Sequence, residues 1–131
     1  KPRSVFSPEV LTLRILRWLE DAEHLLGAPV LAAYLQDGGD FRRYALANRL
    51  ADVLDQYLIY RPDWLQAWER GEQPLTAPDA LWQARLWRDL VNDAEDEHRA
   101  SSLQRMLQML EQGEGVERLP QRVMLVGEPR V

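Results

Sequence analysis

From Leu46 to Leu58 the apolar side chains return at helical spacing. Leu46, Leu50, Val53, Leu54, Tyr57 and Leu58 follow the i, i+4, i+7, i+8, i+11, i+12 pattern of a buried stripe. Arg61-Pro62 ends this helix, because proline pushes the residue before it out of the α region. Gly38-Gly39 breaks the chain ahead of it, and Asp40 is placed to cap it. A helix with one long apolar stripe is stable only when other elements cover that stripe, so the remaining segments have to supply a helical bundle.

The flanking sequence supplies helices. Ser7-Pro8-Glu9 reads as a helix start: a capping hydroxyl, a proline suited to the first turn, and an acid that complements the helix dipole. Val10, Leu13, Leu16 and Leu19 follow at helical spacing, and Leu25-Leu26-Gly27 closes this helix. Ala28-Pro29 opens a short helix through Leu35, and Asp63 is placed to cap another that carries Trp64, Leu65 and Trp68. Gly71 to Pro78 is a loop by composition. A further helix is predicted from about Asp79 to Asn92, with Trp82, Leu86 and Leu90 on one side. Asp93–Glu97 reads as an acidic link. The last helix is predicted from about Ala100 to Gln112, with Leu103, Met106, Leu107 and Leu110 turned inward and Gly113 as its stop.

The tail differs in character. Arg122-Val123-Met124-Leu125-Val126-Gly127 reads as a short buried strand, apolar and β-branched between Pro120 and Gly127. No other segment offers it a partner, and a lone strand leaves its backbone groups unpaired, so its sheet is expected elsewhere. The expected fold is mainly α: one helical domain over residues 1–131 with a short terminal β-strand, inserted in a larger parent protein. A first residue of Lys rather than Met fits an excised segment.

Composition narrows the function. The formal net charge is −5, which opposes unaided binding to a polyanion, since nonspecific DNA binding needs clustered positive charge. The absence of cysteine removes disulfides, thiolate metal sites and a cysteine nucleophile. No apolar run approaches a membrane span of roughly 20 residues, and Lys1–Ser7 carries no signal peptide. Gly38-Gly39 is not followed by the Gly-Lys-Ser/Thr of a phosphate loop. His24 and His98 form no metal-binding pair. Asp93, Glu95, Asp96, Glu97 and His98 read as a solvated acidic stretch rather than a cation site, because adjacent carboxylates on a flexible link repel one another. No catalytic residues, cofactor or metal are expected.

One pattern carries recognition chemistry. Arg49, Asp52, Asp55, Gln56 and Ile59 lie opposite or beside the leucine stripe, and Arg61 stands at the helix end. Asp and Gln are poor ligands for phosphate but good partners for base edges. On pattern alone, the spacing of Asp52 and Asp55 fits a solvated face, with acid–base or metal chemistry as the alternative. The five tryptophans, Trp18, Trp64, Trp68, Trp82 and Trp87, are expected to pack between helices rather than stack on bases.

The run Ala51-Asp52-Val53-Leu54-Asp55-Gln56-Tyr57-Leu58-Ile59-Tyr60-Arg61-Pro62-Asp63-Trp64-Leu65 and its extension Ala67-Trp68-Glu69-Arg70-Gly71 resemble RecC, the gamma-subunit family of the bacterial exodeoxyribonuclease V. Trp82-Gln83-Ala84-Arg85-Leu86-Trp87, His98-Arg99-Ala100 and Leu119-Pro120-Gln121-Arg122-Val123 follow in the same order. The resemblance implies an inactive helicase fold, with this segment as the helical insertion labelled 1B. It implies RecB-like and RecD-like partner subunits, a cytoplasmic DNA end-processing machine, and scanning of a single strand for the recombination hotspot Chi. The family's hotspot-reading positions fall on Asp52, Val53, Asp55, Gln56, Arg61 and Arg99. Val53 stands where the family pattern has leucine, and the tail departs after Val126-Gly127. Beside this scanning role stand an architectural module that contacts partner helices without touching bases, and an enzyme with an unrecognised carboxylate site.

Overall fold

The computed structural model of the chain describes residues 7–113, and all of the regular structure among them is helical. Six helices follow in order: α1 Pro8–Leu19, α2 Ala22–Leu26, α3 Pro29–Leu35, α4 Gly39–Tyr60, α5 Pro62–Glu69 and α6 Ala80–Glu111. The strand expected at Arg122–Gly127 lies outside the described residues. Contacts divide the chain into two compact units, Lys1–Asp93 and Ala94–Val131.

The first unit holds the core. Leu11, Ile15, Trp18 and Leu19 of α1 meet Ala47, Ala51 and Leu54 of α4, Leu65 and Trp68 of α5, and Leu86, Trp87 and Leu90 of α6. Helix α1 packs chiefly on α4. The buried line of α4 is therefore Ala47–Ala51–Leu54: Leu54 is buried as expected, while the two alanines lie one step round the helix from the leucines of the expected stripe. Leu46, Leu50, Tyr57 and Leu58 flank it, partly buried. The alanines explain the shift, because small side chains let two helices approach closely.

Local chemistry sets the breaks. Ser7 occupies the N-cap position of α1, but its side chain makes no capping bond; its carbonyl accepts the Leu11 N–H at 2.8 Å. The single helix expected to run to Leu26 stops at Leu19 and restarts at Ala22. Asp21 causes the restart, its carboxylate accepting the Glu23 N–H at 2.9 Å. Gly39 opens α4 with φ +67°, a left-handed conformation that glycine adopts without strain.

The tryptophans join elements, as expected. Trp18, Trp68, Trp82 and Trp87 are buried, and Trp64 is half-buried. Each buried indole N–H keeps an acceptor: Asp89 for Trp18 at 2.8 Å, Gln73 for Trp68 at 3.0 Å, Asp79 for Trp82 at 3.3 Å and Glu69 for Trp87 at 2.9 Å. Such bonds contribute about 1 kcal/mol each and, more to the point, leave no indole donor stranded in the core.

The expected link at Asp93–Glu97 is helical: α6 runs unbroken from Ala80 to Glu111. No Gly or Pro interrupts that stretch, and Arg99 pairs with Asp96 one turn earlier. Leu103, Met106 and Leu107 are 56%, 46% and 51% exposed, so they do not turn inward as the sequence pattern suggested; Leu110 is half-buried.

Candidate nucleic-acid interface

The second half of α4 has two unlike sides. Ala51 and Leu54 are buried against α1, while Arg49, Asp52, Gln56 and Ile59 are exposed. Asp52 and Gln56 stand four residues apart, so one turn of about 6 Å separates them on the same face. Asp55 and Val53 sit at the edges of that face, half-buried. The face thus presents two carboxylates and one amide with a single flanking cation, Arg49.

Arg61 marks the C-terminal end of the row. Helix α4 ends there because Arg61 leaves the helical conformation, at φ −136° and ψ 55°, ahead of Pro62. Its guanidinium forks onto Asp63: Nε donates to Oδ1 at 3.2 Å and Nη2 to Oδ2 at 3.0 Å. The same group lies over the Trp64 ring, 4.0 Å from its centroid. Trp64 in turn meets Tyr57 edge-on at 5.4 Å, and the Tyr57 hydroxyl donates to Gln83 Oε1 at 3.1 Å. Arg61 is therefore exposed at its tip and held from below by a chain of contacts reaching α6. Its hydrogen bonds to Asp63 raise the pKa of the guanidinium and lower that of the carboxyl.

Five of the expected residues, Asp52, Val53, Asp55, Gln56 and Arg61, lie along α4 and its C-terminal cap. Arg99 lies on α6 in the second unit, exposed and paired with Asp96. Sequence reasoning gave Asp63 a capping role. It instead sits in the first turn of α5, with Arg61 at the N-cap position, and clamps Arg61. The signal was the Arg61-Pro62-Asp63 triplet, since proline at the first helical position presents the following acid to the residue before it. The part played by Trp64 as a platform for Arg61 was also missed.

Chemically, the row can accept hydrogen bonds through Asp52 and Asp55 and both donate and accept through Gln56, which suits base edges rather than phosphates. Among the described residues no group of three or more His, Asp or Glu could hold a metal ion, and no helix is long and apolar enough to cross a membrane.

Comparison with known proteins shows the family. Over residues 1–131 the chain matches the family described as RecC, N-terminal domain. It is 34% identical over 132 residues, 95% of the chain, to the RecBCD enzyme subunit RecC of Escherichia coli K12. The protein of that name from Haemophilus influenzae is 34% identical over 113 residues, 68% of the chain. One from Mycobacterium tuberculosis is 44% identical over 50 residues, 38% of the chain. The chain spans 12%, 10% and 5% of those three proteins' own lengths. No solved structure matches significantly.

Proposed function

Because the chain belongs to the RecC N-terminal domain family, we propose that it is the strand-reading part of a RecBCD-type helicase–nuclease, acting in double-strand break repair by homologous recombination. In this reading the chain corresponds to the helical 1B insertion of an inactive helicase fold. It has no catalytic centre of its own. RecB-like and RecD-like subunits supply unwinding and hydrolysis in the cytoplasm. A separated single strand passes α4, where Asp52, Asp55 and Gln56 hydrogen-bond to base edges beside Val53. Arg61 and Arg99 bind a base or a phosphate. When the hotspot sequence arrives, these contacts lengthen the stay of the strand and bias a gate elsewhere in the complex. Each bidentate contact discriminates by about 1–3 kcal/mol.

The observation that carries the reading is the exposed row Asp52–Gln56, closed at one end by the clamped Arg61 and backed by a buried face. Its acidity is no obstacle, since the basic surfaces of the parent complex hold the backbone. A second reading, an architectural module without base contacts, is favoured by one feature: the exposed Leu103, Met106 and Leu107 of α6, which suit a partner protein.

Substitution of Gln56, Arg61 and Arg99 by alanine in the complete complex separates the two. Loss of the hotspot-dependent change in nuclease activity, with unwinding intact, is the expected result. Normal hotspot response in all three variants would end the scanning role, and failed assembly would favour the architectural one.

A further inference from the structure

We propose that Gln83, at the start of α6, is a positioning residue for Arg61: acting through the Tyr57 and Trp64 rings, it sets where the guanidinium stands. This rests on the strand-reading role proposed for Arg61. Two supports hold that guanidinium. Asp63 grips it from the side through the fork, and the Trp64 ring lies beneath it at 4.0 Å. The Arg61 side chain is 46% exposed, so these supports decide where its tip stands. Trp64 is unlike the other four tryptophans. Each of those ties its indole N–H to a side-chain oxygen, whereas the Trp64 N–H has no hydrogen-bond partner among the described residues. Its ring is therefore held by packing, and its aromatic neighbour is Tyr57, edge-on at 5.4 Å with 79° between the planes.

Tyr57 is placed in turn by α5 and α6. Its ring also meets the fully buried Trp68 at 6.1 Å and 69°, and its hydroxyl donates to Gln83 Oε1 at 3.1 Å. Edge-to-face contacts tolerate a range of angles, whereas a hydrogen bond is directional, so the bond to Gln83 selects one setting of the Tyr57 ring. Gln73 fastens the start of α6 to the same group: it accepts from Trp68 Nε1 at 3.0 Å and donates to the Ala80 carbonyl at 3.2 Å. The order of support therefore runs from α6 to Tyr57, to Trp64 and to Arg61. A guanidinium already in place meets its ligand without having to be ordered at that moment, which strengthens binding with no new contact. Freeing the Tyr57 hydroxyl loosens both rings and removes that advantage.

The test uses the complete complex and reads the change of nuclease activity on hotspot DNA beside the rate of unwinding. Gln83→Leu and Tyr57→Phe are each expected to weaken the hotspot response about threefold, the effect of one lost hydrogen bond, with unwinding unchanged. Gln83→Glu, which keeps the acceptor, is expected to retain the response. In an Arg61→Ala background Gln83→Leu is expected to add nothing, because changes within one linked unit do not sum. The positioning role is refuted, with strand reading intact, if Gln83→Leu and Tyr57→Phe are silent while Arg61→Ala impairs the response. It is refuted too if Gln83→Leu lowers the response further in the Arg61→Ala background, since the residue then acts by another route. Equal loss of unwinding and hotspot response in both Gln83→Leu and Tyr57→Phe would make the pair general packing and overturn the proposal. If Arg61→Ala is itself silent, the underlying reading falls and the positioning role falls with it.

Discussion

Arg61 illustrates how much one side chain of the proposed interface is constrained. It makes a two-point fork with Asp63 and lies over the Trp64 ring. Lysine keeps the charge but can neither fork nor stack flat. Arg61→Lys is therefore expected to lose most of the hotspot response that Arg61→Ala loses, measured as nuclease attenuation on hotspot DNA. Asp63 gives a pH signature. Its carboxyl is held below the ordinary carboxylate range by hydrogen bonds from Arg61, so the fork is complete above that range and is lost as pH falls through the lowered value. Fluorescence of an Asp63→Asn protein is expected to lack the acid transition that the unsubstituted protein shows near Trp64. An identical transition in both would place its origin elsewhere. The exposure of Asp52 and Gln56 was legible because they fall outside the leucine pattern. The Arg61–Asp63 fork was not, because it depends on Arg61 leaving the helix at a specific backbone angle.

At the scale of helices, α4 was legible in its C-terminal end and its two-sidedness, but Asp40, read as its cap, lies in the first turn, with Gly38 at the N-cap position. Of the buried line of α4, Leu54 was read and Ala47 and Ala51 were not, the flanking Leu46 and Leu50 being read in their place. Hydropathy favours the larger side chain, whereas the close approach of α1 selects the smaller one. Ala51 is 3% exposed, so Ala51→Leu is expected to force α1 and α4 apart and destabilise the protein by about 1–3 kcal/mol in urea unfolding. An unchanged midpoint would show room at that contact. The acidic stretch of α6 was read as a link on its run of carboxylates. The structure shows why charge did not decide. Nothing in residues 80–111 breaks a helix, successive acids point in different directions round it, and Asp96 gains Arg99 as partner. The exposed leucines and methionines beyond Ala100 were misread because helical periodicity indicates a shared face but not whether anything covers it.

For the molecule as a whole, charge and family membership have to be reconciled. A net charge of −5 leaves little free energy for counterion release, so the isolated chain is expected to bind single-stranded DNA weakly at physiological salt. Fluorescence anisotropy with a labelled strand checks this, and tight, strongly salt-sensitive binding would contradict it. Reading without holding is consistent only if other surfaces of a larger assembly grip the backbone while α4 meets the bases. The most direct test of that claim is the preference of the complete complex over every single-base variant of the hotspot, measured with Gln56→Arg. An amide favours adenine and a guanidinium favours guanine, so the account predicts that preference shifts toward guanine at one position and stays put at the others. A profile that is unchanged, or uniformly weakened with the same preferences, would mean that this side chain does not read a base.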